Sequence, residues 1–188
     1  MVALWTSLLV VGLAEMGDKT QLVALSLASR YRRPWSVLGG ILIATLANHA
    51  LASSVGVWVA DRLSPTVVAW VLAVGFLAFA VWTLVPDRAD AGERERDWGP
   101  LVTTTVVFFL AEMGDKTQLA TVALAARFHT TLLVTAGTTL GMLAADGLAV
   151  FAGSWLTRVV PMHVVRWAAA ALFAAFGLAA LAAAMRHA

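Results

Sequence analysis

The sequence contains no cysteine, and this absence removes several kinds of chemistry at once. Disulfide bonds, thiol catalysis and thiolate metal ligands are all excluded, so a metal site of the soft, thiolate type cannot form. Charged residues are also scarce, at 13% of the chain, against about 25% in ordinary soluble domains. Lysine occurs only at positions 19 and 116. With a net charge of +2 and scattered arginines, the chain offers no basic surface for nucleic acid.

Hydrophobic residues take the place of the missing charges and make up 61% of the chain. Residues 66–85 contain no charge at all, and they are long enough to cross the ~30 Å hydrocarbon core of a bilayer as a helix. Residues 1–13 lack the basic start and the small-residue cleavage site of a signal peptide, so we expect them to be retained. The composition therefore predicts an all-α, polytopic membrane protein.

Six transmembrane helices are predicted, separated mostly by short connections that contain Pro, Arg or Gly. Their approximate bounds are 2–29, 35–60, 65–86, 99–126, 131–156 and 161–185. The longest connection, residues 87–98, is polar and of mixed charge, and we interpret it as a solvated cytoplasmic linker. A regulatory or partner-binding role for this linker is the alternative. It divides one transmembrane domain into two three-helix units, residues 1–86 and 99–188.

A nine-residue segment occurs twice without a change, 97 positions apart. Residues 14–22 read AEMGDKTQL, and residues 111–119 repeat them. Other identities in the same register include Arg30 with Arg127, Gly40 with Gly137, Trp70 with Trp167 and Phe76 with Phe173. Because each unit has three spans, an odd number, the second unit must enter the membrane in the opposite sense. The pattern thus predicts an inverted repeat, with a binding site near the midplane between the repeats.

The distribution of arginine predicts how the chain is oriented. The connections after spans one, three and five, together with Arg166 near the start of span six, hold eight arginines, whereas the opposite side holds three. Positive residues are enriched in cytoplasmic loops. We therefore expect the 87–98 linker in the cytoplasm and both termini on the outside.

Each repeated segment places charged residues in the middle of an apolar stretch. A charge at the bilayer centre costs about 2.5–3.5 kcal/mol on insertion scales, so such residues indicate function. The three-residue spacing predicts that Glu15 and Asp18 share one helical face, and Lys19 could pair with Glu15. Gly17 offers an alternative, in which the helix unwinds locally and its freed carbonyl groups become ligands.

A pseudo-two-fold axis would bring the acidic residues of both copies together. The predicted metal ligands are Glu15, Asp18, Glu112 and Asp115. With Lys19 and Lys116 as counter-ions the cluster carries a formal charge of −2, which one divalent cation or two protons would neutralise. Oxygen ligands suit Mn²⁺, Ca²⁺ or Mg²⁺, and clustered carboxylates in a low dielectric also bind protons more tightly. Competition between metal and protons is the basis of an exchanger. Buried ion pairs that only lock helices together are the alternative.

Several other polar residues lie inside the predicted spans. The candidates for a metal or proton pathway are Gln21, Gln118, Asn48, Asp146, Thr20 and Thr117. Asp146 fits the cation pathway, a proton relay or a salt bridge to a lysine, whereas Asn48 fits either a ligand or an interhelical hydrogen bond. We expect the threonine hydroxyls to bond back to their own helices. His49 corresponds to Asp146 at the offset of 97 and is interpreted as a packing residue. Gly137 and Gly141 are expected to allow close helix packing.

The doubled motif Glu-x-Gly-Asp-(Lys/Arg)-(Ser/Thr), at residues 15–20 and 112–117, resembles that of the Golgi-type manganese/calcium–proton exchanger family and its bacterial manganese-exporter relatives. The resemblance implies export of Mn²⁺, with Ca²⁺ as a second ion, in exchange for protons, with the motif carboxylates as ligands. It implies a transporter rather than an enzyme, with no resident cofactor. The short linker and the lack of an N-terminal extension favour a prokaryotic inner membrane.

The residues also allow functions of other classes. An exporter of amino acids or other small solutes would have a similar size, and a passive cation channel would use similar residues. An intramembrane aspartyl protease also uses two Asp residues, but the adjacent Glu and Lys argue against a dyad that shares one proton. The lipid bilayer is the expected surrounding, and a homo-oligomer is one state that the sequence allows.

Overall fold

The computed structural model describes residues 1–85, 98–152 and 162–187, which form eight α-helices and no strands. The helices are α1 (Val2–Glu15), α2 (Lys19–Tyr31), α3 (Pro34–Ala60), α4 (Pro65–Thr83), α5 (Pro100–Glu112), α6 (Lys116–Phe128), α7 (Thr131–Ala152) and α8 (Met162–His187). The predicted linker at 87–98 lies, apart from its last residue, outside the described residues. The all-helical class that the composition predicts is therefore confirmed for the described part of the chain.

Local sequence signals explain where most of these helices begin and end. Proline occupies the first turn of α3, α4 and α5, where its missing N–H has no helical partner to lose. The Ser64 hydroxyl caps α4 by accepting a hydrogen bond from the Val67 amide at 3.4 Å. Arg32 and His129 end α2 and α6 in the left-handed conformation.

Four of the helices are long and apolar enough to cross a membrane, namely α3, α4, α7 and residues His163–Arg186 of α8. The predicted spans 2–29 and 99–126 are each divided in two, so the expectation of a continuous helix through the repeated motif is wrong. The reason is the backbone of Gly17 and Gly114, whose φ angles are +80° and +78°. These angles interrupt a right-handed helix and are readily adopted by glycine. Local unwinding, the alternative, is what the structure shows.

Most of the packing between helices is reciprocal between the two units. Helix α1 packs on α7, and its counterpart α5 packs on α3; likewise α2 packs on α7, and α6 packs on α3. The pairs α3 with α7 and α4 with α8 each join counterparts to one another. This exchange of partners is what a two-fold relation between two units produces. The rings of Phe76 and Phe173, also counterparts, stack with centroids 6.3 Å apart.

Glycines set the closest approaches between helices. A Cβ atom at Gly137 would lie 2.3 Å from the Leu4 carbonyl oxygen, and one at Gly141 would lie 2.5 Å from that of Leu8. The predicted close packing at these glycines is therefore confirmed, and it brings α7 against α1. Outside this core, large apolar side chains such as Val74 and Leu178 are exposed, as expected for a surface that faces lipid.

Candidate cation site between two broken helices

The two copies of the motif form two interruptions with the same backbone conformation. Helix α1 ends at Glu15, residues 16–18 are unwound, and α2 begins at Lys19. Met16, which follows Glu15, is extended, with φ −67° and ψ 117°. Its counterpart Met113 has φ −68° and ψ 116°. Unwound segments free backbone carbonyls, and discontinuous membrane helices use such carbonyls around ion sites. Glu15 and Asp18 therefore do not share a helical face, because the helix that would align them ends between them.

Three of the four predicted ligands converge. Carboxylate oxygens of Glu15, Glu112 and Asp115 all lie within 4.8 Å of one another, and all three residues are buried. Glu15 and Glu112 have no exposed surface. Like charges this close in a low dielectric repel strongly, so the arrangement favours a bound cation or proton. The fourth predicted ligand, Asp18, is buried beside this group and forms an ion pair with a lysine.

The lysines join the two copies of the motif. Lys19 Nζ lies 3.1 Å from Asp115 Oδ1, and Lys116 Nζ forms an ion pair with Asp18 Oδ1. Each lysine therefore pairs with the aspartate of the opposite copy. A continuous helix would instead favour pairing with the glutamate four residues earlier in the same copy. The two pairs differ in exposure: the Lys19 side chain is 32% exposed and that of Lys116 is 6% exposed.

The threonines of the motif hold the glutamates in place. Thr20 Oγ1 donates to Glu15 Oε2 at 2.7 Å, and Thr117 Oγ1 donates to Glu112 Oε2 at 3.0 Å. The expectation that these hydroxyls bond back to their own helices is wrong, because the break turns each glutamate towards the start of the next helix. The other oxygen of each glutamate, Oε1, has no hydrogen-bond partner among the described residues, which leaves it available to a cation.

The glutamines close each break and tie it to a neighbouring helix. Gln21 Oε1 accepts from the Gly17 amide at 2.8 Å, and Gln118 Oε1 accepts from the Gly114 amide at 2.7 Å. Gln21 Nε2 then donates to the carbonyl of Ala145 on α7. At the corresponding place on α3, Gln118 Nε2 lies 3.5 Å from Asn48 Oδ1. Both glutamines thus fix the conformation of a break.

Asn48 and Asp146 make the site asymmetric. Asn48 Nδ2 donates to the Phe109 carbonyl at 3.0 Å. This is the interhelical hydrogen bond that the sequence gave as one of two roles for Asn48. Asp146 is fully buried and lies within electrostatic range of Glu15, Asp18 and Glu112. Neither of its oxygens has a hydrogen-bond partner among the described residues. The structure therefore brings a fifth carboxyl group to the site, without the salt bridge to a lysine.

One contact at the site could not be predicted from the sequence. The guanidinium of Arg166, on α8, donates to the freed carbonyl of Gly17 at 3.3 Å. In the sequence, Arg166 near the start of span six served only as one of the arginines that orient the chain. Its counterpart at the offset of 97 is Ala69, so the repeat gave no signal for this contact.

Comparison with known proteins identifies the family of the chain. The sequence profile described as "Divalent cation/proton antiporter GDT1" matches the chain twice, over residues 3–91 and 100–188. The chain belongs to this family. A Vibrio cholerae protein named "Putative manganese exporter" is 49% identical over 92% of this chain and 87% of its own length. A GDT1-like protein of Synechocystis is 29% identical, over 94% of this chain and 95% of its own length. "GDT1-like protein 3" of Oryza sativa subsp. indica is also 29% identical, over 94% of this chain and 72% of its own length. No solved structure gives a significant match.

Membership in this GDT1 family confirms the resemblance that the doubled motif indicated. With its apolar helices, the chain is a multi-pass membrane protein of a transporter family whose members exchange divalent cations for protons. The 97-residue offset of the motif agrees with the offset between the two matched ranges.

Proposed function

We propose that this protein exports Mn²⁺ from the cytoplasm in exchange for protons, with Ca²⁺ as a second transported ion. The observation that supports this most directly is the convergence of oxygens from Glu15, Glu112 and Asp115 within 4.8 Å. Oxygen atoms at such spacing fit a cation that prefers hard ligands. Asp18 completes the predicted ligand set when its ion pair with Lys116 opens.

The charge of the site couples the metal to protons. Without counting Asp146, the four motif carboxylates and two lysines leave a formal charge of −2, so one divalent cation or two protons would neutralise these motif groups. Both bind to the same oxygens, and a metal therefore leaves when protons arrive. In this scheme a cation enters from the cytoplasm, and protonation of the carboxylates on the outer side releases it.

The broken helices support an alternating-access mechanism. We infer that α1 with α2, and α5 with α6, each cross the membrane as one interrupted span, which makes six crossings in two inverted repeats. Both termini would then lie outside, in the plasma membrane of a prokaryote. The lysine–aspartate pairs join the two repeats, so the site lies between them. Rocking of one repeat against the other would therefore open the site to alternate sides of the membrane.

The first test is transport in proteoliposomes that contain a metal-sensitive dye. Uptake of Mn²⁺, Ca²⁺, Mg²⁺ and Zn²⁺ is measured with and without a pH gradient. We expect Mn²⁺ flux, and weaker Ca²⁺ flux, that depends on the gradient. Metal flux that ignores the gradient would instead indicate a channel, and no flux with any metal would favour a small-solute exporter.

Substitution of the glutamates tests the ligand assignment. Glu15→Gln and Glu112→Gln each keep the side-chain size but remove the negative charge and the competition with protons, so we expect each to abolish gradient-driven Mn²⁺ flux. Glu93→Gln makes the same chemical change in the linker and should transport normally. Gel filtration checks that all three variants are folded. Full transport by both motif variants would contradict the assignment.

A further inference from the structure

A cavity of about 240 Å³ lies where the ends of α3, α6 and α8 meet the beginning of α4. Most of its lining is apolar, and four of the lining residues are buried, namely Ala60, Leu72, Ala126 and Ala180. For comparison, an apolar cavity of about 150 Å³ holds a benzene molecule. The space is therefore large enough for part of a hydrocarbon chain.

The cavity is partly open at a surface where lipid is expected. Helices α4 and α8 pack on each other, and outward side chains of this pair, such as Val71 and Leu178, are apolar and exposed. Each of these two residues is next in sequence to a residue that lines the cavity, Leu72 and Ala179 respectively. Acyl chains of the surrounding bilayer therefore reach the opening.

Alanines on α8 leave this space. Ala179, Ala180 and Ala183 all line the cavity. At the offset of 97, Ala179 corresponds to Trp82 and Ala180 corresponds to Thr83. The equivalent positions of α4 thus carry larger side chains, so the cavity is a property of α8 and not of the repeat.

Arginine is concentrated around the cavity. The side of the protein opposite the 87–98 linker has three arginines. Arg127 lines the cavity, and Arg62 is next in sequence to the lining residue Leu63. Arg186 follows the lining residue Ala183 by three positions, which places the two on one face of α8.

Arg127 has no carboxylate partner at the edge of the cavity. Its guanidinium lies 5.9 Å from the centroid of the Phe128 ring, and it forms no salt bridge with a described residue. Asp61, the one acidic residue in the connection between α3 and α4, instead lies 3.6 Å from His129 Nδ1. A guanidinium can bind a phosphate through two parallel N–H···O bonds.

We propose that this cavity binds an anionic phospholipid. The phosphate lies on Arg127, and one acyl chain enters the cavity over Leu72 and Ala180. A phospholipid has a charged group directly attached to apolar chains, which matches a basic edge beside an apolar lining, and basic pockets between transmembrane helices bind anionic headgroups. Helices α3 and α4 belong to the first repeat and α6 and α8 to the second, so the lipid contacts both. The site does not depend on the proposed transport function.

Native mass spectrometry of the delipidated protein in a neutral detergent tests the charge requirement. Dioleoyl phosphatidylglycerol and dioleoyl phosphatidylcholine have the same chains but differ in net charge, and we expect the first to bind more tightly. Arg127→Gln removes the guanidinium and should weaken binding of phosphatidylglycerol about fivefold or more. Arg30→Gln is the matched control, because Arg30 is the counterpart of Arg127 and does not line the cavity.

Ala179→Trp tests the place of the acyl chain without changing any charge. It introduces the side chain found at the counterpart position and fills the cavity, so we expect it to weaken phosphatidylglycerol binding to a similar extent. Leu178→Trp adds the same ring to the exposed neighbouring position and should leave binding unchanged. Gel filtration checks the fold of every variant. Arg127→Met or Ala179→Leu replaces a variant that does not elute as the unsubstituted protein does.

The outcomes distinguish a lipid from other ligands. Unchanged binding in the Arg127 variant or in the Ala179 variant would overturn the proposal, and so would an equal loss in Arg30→Gln. Equal binding of the two lipids would indicate an apolar groove alone, and displacement of phosphatidylglycerol by inorganic phosphate at millimolar concentration would indicate an anion site alone. Either result would contradict a phospholipid site. Because the measurement is lipid binding, the absence of Mn²⁺ flux would not affect it.

Discussion

At the scale of single residues, two glycines determine where the helices break within the repeated motif. Gly17 and Gly114 adopt φ angles of +80° and +78°, and each lets a helix stop beside a glutamate and restart beside a lysine. The glutamate then accepts a hydrogen bond from a threonine hydroxyl of the next helix, as from Thr20 to Glu15 at 2.7 Å. Without the breaks, the charged residues would follow a helical face and lose these contacts.

Gly114→Ala tests the conformational requirement by itself. A Cβ atom at this position would meet nothing within 4 Å, so any cost comes from the left-handed backbone, about 1–2 kcal/mol. We expect a lower midpoint of thermal unfolding in detergent, together with weaker Mn²⁺ flux. Gly75→Ala is the control, because Gly75 is helical and also has open space around it. Its midpoint should stay the same or rise slightly.

At the scale of helices, close packing at glycine holds α3 against α6 and α7 against α1. The contact at Gly56 is the tightest for α3, with 2.2 Å between an added Cβ and the Val122 carbonyl oxygen. A backbone atom cannot move aside as the end of a flexible side chain can. Small residues at such contacts replace the hydrophobic driving force that is missing between helices in lipid.

Gly56→Ala should therefore push α3 away from α6. Overpacking of this kind typically costs about 1–3 kcal/mol, and we expect a clear fall in the midpoint of thermal unfolding. Gly147→Ala is the matched control, because its added Cβ would meet only Leu38, at 3.7 Å. Similar midpoints for the two variants would show that the helix contact tolerates the added methyl group.

At the scale of the whole molecule, two ion pairs hold the repeats together across the cation site. They have the same chemistry but different surroundings, since the Lys116 side chain is 6% exposed and the Lys19 side chain is 32% exposed. Removing one partner of a buried pair leaves an uncompensated charge and costs about 3–5 kcal/mol. The Lys19–Asp115 pair is only partly exposed, because the Asp115 side chain is 6% exposed, so water can replace the lost lysine only in part.

Lys116→Met should consequently destabilise the protein more than Lys19→Met, although the two positions are equivalent in the repeat. Thermal unfolding in detergent compares them under one condition. We expect a larger loss for Lys116→Met than for Lys19→Met. Equal losses would mean that the two halves of the site are equally buried in solution, contrary to the unequal exposure of the two lysines.

Much of the architecture could be predicted from one sequence because a membrane imposes simple requirements. A charge-free run such as residues 66–85 must be a helix in lipid, where every backbone polar group needs a partner. The doubled motif, at a constant offset of 97, also determined that two identical acidic clusters exist. Hard oxygen ligands and the absence of cysteine predicted the class of cation.

Only the tertiary structure decided how these residues meet. Whether Gly17 lies within a helix or breaks it depends on the contacts that stabilise the break, such as the Gln21 side chain bonding both the Gly17 amide and the Ala145 carbonyl. The pairing of Lys19 with Asp115 joins residues 96 positions apart. Local spacing favours a partner four residues away and cannot specify one in the opposite repeat.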